Sequence, residues 1–223
     1  MNAPEKFLLP DIQSQVDTRN MPITAVGIKD VRYPLTIRSD HRVAPVTATL
    51  SMSVGLPASA KGTHMSRFIE LLEALAEPLD QQSFRTLILR MLEKLDAISG
   101  EISMRFPYFV QKTAPVSGVR SLLDYEVGWR GSVSQQGKYA FWMEVTVAAT
   151  SLCPCSKEIY AYGAHNQRSH MRINAELMGT MAIEELIAIA ERNASCEVYG
   201  LLKRPDEKYV TERAYDNPKF VED

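Results

Sequence analysis

The sequence predicts an α+β fold made of two modules, each built on an antiparallel sheet. One observation is the order strand, strand, helix, helix, which hydrophobic periodicity indicates twice along the chain. A second is that hairpins join the strands, without the strand–helix–strand rhythm of a parallel sheet. With 223 residues, of which 45% are hydrophobic, the chain is long enough for one large core or two small ones.

The first three elements are extended. Residues 1–20 are polar and contain two prolines, which predicts an N-terminal arm. The stretch 28–37 has strand character but includes Pro34, and proline is confined to edge strands or bends. Strict alternation of apolar and polar residues over 46–54 predicts a half-buried strand.

Two amphipathic helices follow. The first has its apolar face over 68–75, with Thr63 as the candidate N-cap and Pro78 as the stop. The second repeats apolar residues at the helical period over 84–95, and Gly100 is expected to close it.

A strand over 102–106 completes the first half. The second half begins with alternating stretches at 123–129 and 139–147, joined by a turn near Gly137, which predicts a hairpin. The later elements are a strand at 171–177, a helix at 183–192 and a helix beginning near Thr211.

Charge and cysteine usage exclude several classes of protein. The net charge is -2, so no basic field attracts nucleic acid or a membrane surface, and neither partner is expected. No apolar run reaches the roughly 18 residues of a membrane helix, and the N-terminus lacks a signal-peptide pattern. The three cysteines are an odd number, which argues against a disulfide framework and predicts a reducing, cytoplasmic location.

Metal-binding side chains are concentrated in one long connection between two strands and at its end. They are Cys153, Cys155, His165 and His170. Thiolate and imidazole groups bind zinc and similar ions, but a catalytic site needs three protein ligands and an open position. A carboxylate could complete the pair Cys153 and His165 as the third ligand. The alternative is that the cysteines flank a proline turn and the histidines are surface groups.

A second polar segment precedes the last predicted helix. It places Lys203, Arg204 and Lys208 around Asp206 and Glu207. Lysine and arginine donate charge-assisted hydrogen bonds to phosphates, although a solvated loop at a helix start has the same composition. Glu207 offers the carboxylate that a cysteine–histidine site lacks.

Two further candidates stand alone in the sequence. Glu222 is a candidate general acid or base, with a solvated helix carboxylate as the alternative. His64 lies at the start of the first predicted helix, where backbone N–H groups can receive an anion, and simple capping is the alternative.

Seven segments occur together and in a specific order. They are VGIKDVRYPL, KGTHMSRF, KTAPVSGVRSLLDYEV, TSLCPCSKEI, YGAHNQRSH, YGLLKRPDEKYVTE and AYDNPKFVED. These segments closely resemble the type B family of GTP cyclohydrolase I, from about residue 18 to the last residue. The segments SLCPCSKE, GAHNQRSH and LLKRPDEKYVTE make the resemblance highly specific.

This resemblance implies an activity and an architecture. The family opens the purine ring of GTP, releases formate and forms 7,8-dihydroneopterin triphosphate, the first step of tetrahydrofolate synthesis. Its fold is the tunnelling fold, with helix pairs packed on one face of antiparallel sheets, in tandem modules and a homotetramer. The modules would span residues 21–117 and 118–223. Family chains continue beyond the position of Asp223, with a guanine-anchoring glutamate and a His-x-His pair.

The resemblance also assigns site residues. One divalent metal ion per active site, without an organic cofactor, would be bound by Cys153, His165 and Glu207. The catalytic residues would be Cys153 and Glu222, the latter protonating a ring nitrogen after a metal-activated water attacks C8 of guanine. This donor set suits zinc, manganese or iron(II). The candidates for substrate binding are Arg168, Lys203, Arg204 and His64.

Two alternatives remain open at this point. The first is a nitrile reductase of the same fold, with a nucleophilic cysteine, NADPH and no metal. The second is a non-catalytic binding module with a closed zinc site formed by Cys153, Cys155, His165 and His170. Turnover of NADPH with a cyano-deazaguanine would identify the first, and an open coordination position would exclude the second.

Overall fold

The computed structural model describes residues 16–159, 163–220 and 222. Within these residues the chain forms five helices and one antiparallel sheet of seven strands. The strands are β1 (Ile23–Ser39), β2 (Arg42–Leu56), β3 (Ser99–Thr113), β4 (Arg120–Val133), β5 (Tyr139–Leu152), β6 (Asn166–Glu176) and β7 (Cys196–Glu197). The helices are α1 (Ser66–Glu73), α2 (Gln81–Lys94), α3 (Pro154–Ile159), α4 (Ile183–Arg192) and α5 (Arg204–Asp216).

The sheet keeps the order of the chain from β1 to β6, and β7 pairs with the end of β5. Helices α1 and α2 lie in the connection between β2 and β3, and α3 lies between β5 and β6. The β5–β6 ladder runs to its last pair, Leu152 with Asn166. Because hydrogen-bonded partners in an antiparallel pair are only about 5.5 Å apart, this pair brings the two ends of the α3 connection together.

The apolar core lies between one face of the sheet and helices α1, α2 and α4. Its centre is Trp129, which is 2% exposed and makes edge-on ring contacts at 5.7–5.9 Å with Phe84, Phe106 and Phe141. A Cβ atom on Gly131 would lie 3.0 Å from the Phe84 ring. Glycine at this position therefore lets α2 approach the sheet closely.

Helix α4 is attached to the sheet by two part-buried glutamate–tyrosine pairs. The hydroxyls of Tyr108 and Tyr125, which are register partners on β3 and β4, donate to Glu184 and Glu191 respectively. Lys112 also donates to Glu191, at 2.6 Å. Burial, and then the neighbouring carboxylates, raise the pKa of both tyrosine hydroxyls, so they remain donors.

Both helices predicted in the first half are present, but their ends differ from the prediction. Helix α1 begins after Met65 without a side-chain cap, and Thr63 is buried instead of capping it. Helix α2 is capped by Asp80, whose carboxylate accepts a backbone N–H of the first turn. Asp96, with φ of 51°, turns the chain after α2, so Gly100 lies within β3 and does not close the helix.

In the second half, the hairpin of β4 and β5 and the helix α4 are confirmed, with Gly137 at positive φ in the turn. The order strand, strand, helix, helix is not repeated there, because α3, α4 and β7 are interspersed. The last helix begins at Arg204 rather than near Thr211, since Pro205 and acidic residues form its first turn. It ends at Asp216.

The edge position predicted from Pro34 is confirmed, but the strand is not broken. Pro34 pairs with Thr47 within β1, where an edge position spares the hydrogen bond that proline cannot donate. The register shifts instead between Ile28 and Val31.

The predicted boundary near residue 117 falls in the connection between β3 and β4, which pair along their whole length in one continuous sheet. The division into 21–117 and 118–223 stays a prediction. Residues 1–15 of the predicted arm lie outside the described residues, and Val16 forms a bridge with Ala60. No helix in the described ranges is long and apolar enough to cross a membrane.

Candidate active site

Two of the predicted ligands lie at the same end of the β5–β6 ladder. Cys153 directly follows Leu152, and His165 directly precedes Asn166, the partner of Leu152. Both side chains are exposed. The connection that separates them by twelve residues in sequence is therefore closed at its base by the sheet, and both residues lie at this end of the ladder, which we call the β5–β6 edge.

Cys153 lies at the start of α3. Its backbone carbonyl accepts the Lys157 N–H at 3.3 Å and the Ser156 hydroxyl at 3.0 Å. Backbone N–H groups of Ser156, and then of Cys155, hold the pKa of the Cys153 thiol below its ordinary value. A lowered pKa favours the thiolate, which is the form that binds metals and acts as a nucleophile.

The C-terminal segment returns to this edge. The Lys219 N–H donates to the Leu152 carbonyl at 3.2 Å, next to Cys153. Lys157 of α3 donates to the Tyr215 carbonyl at 2.6 Å and lies over the Tyr215 ring. Glu222 follows three residues after Lys219 and is exposed. The chain after α5 therefore passes the end of β5 shortly before it reaches Glu222.

Glu207 is exposed in the first turn of α5, and Arg204 donates to its carboxylate at 3.0 Å. The other end of this helix, at Tyr215, contacts the Cys153 connection. At 1.5 Å per residue, Glu207 lies about 12 Å along the axis from Tyr215. The structure therefore does not bring Glu207 to Cys153 within one chain.

The remaining candidates are distributed over several elements. Lys203 and Arg204 are exposed at the start of α5, beside Glu207. Arg168 is exposed on β6, paired with Thr150, close to the edge that carries His165. His64 is half-buried in the connection between β2 and α1, and β3 and β4 separate β2 from β5 in the sheet.

Of the two further residues in the closed-site alternative, Cys155 has its thiol beside that of Cys153, whereas His170 lies away from both Cys153 and His165. Cys155 points from within α3, and burial, and then the Cys153 thiolate, raise the pKa of its thiol. His170 lies on β6 and pairs with Ala148 of β5. It follows Asn166 by four residues, which is about 13 Å along the strand. This geometry gives no support to a four-ligand zinc site.

Within one chain, no three Cys, His, Asp or Glu side chains of the described ranges form a group that could hold a metal ion. The donor types nevertheless suit a divalent ion, because the pKa of the Cys153 thiol is lowered and the side chains of His165 and Glu207 are exposed. The ligand assignment stays a prediction, and it requires Glu207 to reach the β5–β6 edge.

Sequence reasoning named Asp206 only as part of a charged cluster, whereas the structure buries it completely. Burial alone would raise the pKa of the Asp206 carboxyl. Hydrogen bonds from the Ser117 hydroxyl and from backbone N–H groups nevertheless hold this pKa far below its usual range. An acidic residue at the third position of a helix, directly after a proline at the second, is a sequence signal for such a cap. Its partner turn, 90 residues away, has no signal in the sequence.

Comparisons with known proteins identify the family of the chain. A family model described as type I GTP cyclohydrolase folE2 matches residues 9–223. A relative from Paraburkholderia phymatum, GTP cyclohydrolase FolE2, is 61% identical over 218 residues, which cover 97% of this chain and 81% of the relative. Another of that name, from Cupriavidus necator, is 57% identical over 217 residues, with the same coverage. The chain therefore belongs to the type I GTP cyclohydrolase folE2 family and is an enzyme with GTP cyclohydrolase I activity.

Proposed function

We propose that the enzyme hydrolyses GTP to 7,8-dihydroneopterin triphosphate and formate, with one divalent metal ion bound by Cys153, His165 and Glu207. Family membership supports the GTP cyclohydrolase reaction. The single structural observation behind the metal proposal is that Cys153 and His165 flank the last register pair of β5 and β6. Zinc, manganese and iron(II) all suit this donor set.

The residues divide the chemistry between them. A divalent ion at this edge would supply Lewis-acid activation of water at neutral pH, which two successive hydrolyses at C8 of guanine require. The Cys153 thiolate, the neutral His165 imidazole and the Glu207 carboxylate provide its ligands. Glu222 donates a proton to the ring nitrogen as its bond to C8 breaks.

The triphosphate needs cations near this centre. Three exposed cations are candidates: Lys203 and Arg204 at the start of α5, and Arg168 on β6. Charge-assisted hydrogen bonds from such groups hold phosphate oxygens. His64 is a further candidate for the substrate, from a neighbouring copy, because it lies far from β5 in its own chain.

Assembly would complete the site. Since Glu207 lies about 12 Å along α5 from the Cys153 connection, we propose that it joins Cys153 and His165 of a neighbouring copy in a homotetramer. Within the described residues, β1 and β6 are the two edge strands of the sheet. Edge strands with unpaired backbone groups are suited to pairing between copies.

The architecture and the location complete the proposal. The helices α1, α2 and α4 on one sheet face agree with tandem tunnelling-fold modules, divided near residue 117. The two exposed free thiols, Cys153 and Cys155, suit a reducing compartment and therefore a cytoplasmic enzyme.

The test is GTP turnover by metal-stripped protein, with Zn²⁺, Mn²⁺ or Fe²⁺ added back. We expect no pterin fluorescence without metal, and fluorescence with equimolar formate when one of the ions is restored. Turnover by protein shown to be metal-free would overturn the metal proposal. Oxidation of NADPH with a cyano-deazaguanine, in place of GTP turnover, would instead identify the nitrile reductase reaction.

A further inference from the structure

We propose that Asp206 is a positioning residue for the metal site, which acts by fixing the first turn of α5 and thereby the location of Glu207. The inference rests on the proposed function, in which Glu207 is a metal ligand. It assigns a role to a carboxylate that does not itself touch metal or substrate.

Four hydrogen bonds hold the Asp206 carboxylate. Its Oδ1 accepts the backbone N–H groups of Val116 and Ser117 at 2.9 and 2.8 Å. Its Oδ2 accepts the Ser117 hydroxyl at 2.6 Å and the Lys203 N–H at 2.8 Å. A carboxylate offers about four acceptor positions, so its capacity is filled. These bonds tie the start of α5 both to its own first turn and to the turn between β3 and β4.

Asp206 is the main attachment at this end of the helix. Of the described α5 residues, only Asp206 and Ala214 are buried, and they lie near opposite ends. A second close approach precedes the helix, where a Cβ on Gly200 would lie 2.6 Å from the Leu122 carbonyl oxygen. The helix start therefore rests on β4 and on the β3–β4 turn, with one buried carboxylate as the bond between them.

Glu207 is the next residue along the helix and faces outward, where its carboxylate is bound by Arg204. Metal–ligand distances must hold within about 0.2 Å. A ligand that comes from a different element than Cys153 and His165 can meet this demand only if its own element is fixed. The filled hydrogen bonds of Asp206 provide that fixation one residue away.

The experiment measures Zn²⁺ affinity by competition with a chromogenic chelator, independently of turnover. Asp206→Asn keeps the shape of the side chain but leaves the Lys203 N–H facing an amide N–H₂ or loses another of the four bonds. We expect Asp206→Asn to lower Zn²⁺ affinity about 10- to 100-fold, the usual cost of changing a residue that orients a ligand. Glu207→Gln should lower it too, and the double variant should fall no further than Glu207→Gln alone.

One control variant and a second test variant separate positioning from general damage. Asp216→Asn removes the same charge at the exposed far end of α5, and its Zn²⁺ affinity should equal that of the unchanged enzyme. Ser117→Ala removes one of the four bonds from the partner side, and it should cause a smaller loss in the same direction, even if Asp206→Asn does not fold.

The outcomes distinguish this inference from the proposed function. If Glu207→Gln weakens Zn²⁺ binding but Asp206→Asn and Ser117→Ala do not, the positioning role is wrong and the ligand assignment stands. If the losses from Asp206→Asn and Glu207→Gln multiply in the double variant, Asp206 acts independently of Glu207 and the inference is also wrong. If Glu207→Gln binds Zn²⁺ normally, the ligand assignment itself fails.

Discussion

Two cysteines separated by a single proline differ in chemistry because of their places at one helix start. Cys153 precedes α3 and receives its first backbone N–H groups, which lower the pKa of its thiol. Cys155 lies inside α3, and burial together with the Cys153 thiolate raises the pKa of its thiol. The thiolate is the reactive form, so exposure alone does not decide which cysteine reacts.

We therefore expect iodoacetamide to alkylate Cys153 faster than Cys155 near pH 8, because a lower pKa gives a larger thiolate fraction at that pH. Peptide mapping by mass spectrometry over time measures both rates in one sample. Equal rates would contradict the pKa difference. Added Zn²⁺ should protect Cys153 selectively, and the variant Cys153→Ala provides the control for labelling of Cys155 alone.

Glu222 and Cys153 should separate in a paired assay of metal content and turnover. Glu222→Gln cannot move a proton, so we expect turnover to fall about 10²- to 10⁴-fold, with metal content unchanged. Cys153→Ala should lose both metal and turnover while its circular dichroism remains normal, because the residue is exposed outside the core. Elemental analysis that finds metal lost in Glu222→Gln would make Glu222 a ligand.

At the scale of elements, α4 is fixed to the sheet by polar contacts inside an apolar layer. The hydroxyl of the buried Tyr125 donates to the part-buried Glu191 at 2.8 Å. The Tyr33 hydroxyl donates to Glu73 at 2.6 Å, but at the surface. A tyrosine hydroxyl and a glutamate carboxylate thus form one part-buried and one exposed hydrogen bond. Comparing the two measures the effect of burial on stability.

Tyr125→Phe should lower the free energy of unfolding by about 1.5–3 kcal/mol, the range for hydrogen bonds to charged groups. Tyr33→Phe should change it by less than about 0.5 kcal/mol, since water replaces a lost surface partner. Urea denaturation of both variants measures the difference. Equal effects would mean that the Glu191 contact does not attach α4.

At the scale of the whole molecule, an active site shared between copies allows two inactive variants to rescue each other. Cys153→Ala and Glu207→Gln damage different halves of the proposed site. When they are co-expressed, random assembly should restore about a quarter of the sites, because each half is intact with a chance of about one in two. GTP turnover of the purified mixed oligomer, compared with each variant alone, is the measurement.

The matched control is co-expression of Cys153→Ala with His165→Ala. Both changes lie on the same edge of β5 and β6, so no mixed site regains a complete ligand set. No rescue in the first pair would mean that Glu207 serves the Cys153 of its own chain. Rescue in the control would mean that Cys153 and His165 of one chain do not belong to the same site. Light scattering on the same samples tests the homotetramer.

Local patterns determined most strands and the apolar face of each helix, because alternation and helical periodicity are properties of neighbouring residues. The hairpin at Gly137 and the helix α4 follow directly from such patterns. Local patterns did not determine where the helices end. The start of a helix depends on which groups accept hydrogen bonds from its first backbone N–H groups, and these groups can come from distant parts of the chain. Thus α5 begins at Arg204, where Asp206 accepts a bond from Lys203, and not near Thr211.

For the site, the sequence by itself determined the family, through segments such as SLCPCSKE and GAHNQRSH, and identified Cys153, His165 and Glu207 as candidate ligands. Only the tertiary structure decided where each of them lies. The pairing of Leu152 with Asn166 places Cys153 and His165 at the same end of the β5–β6 ladder, whereas Glu207 lies at the far end of α5. Strand register and helix docking are set by contacts between distant parts of the chain, so no local pattern encodes these distances.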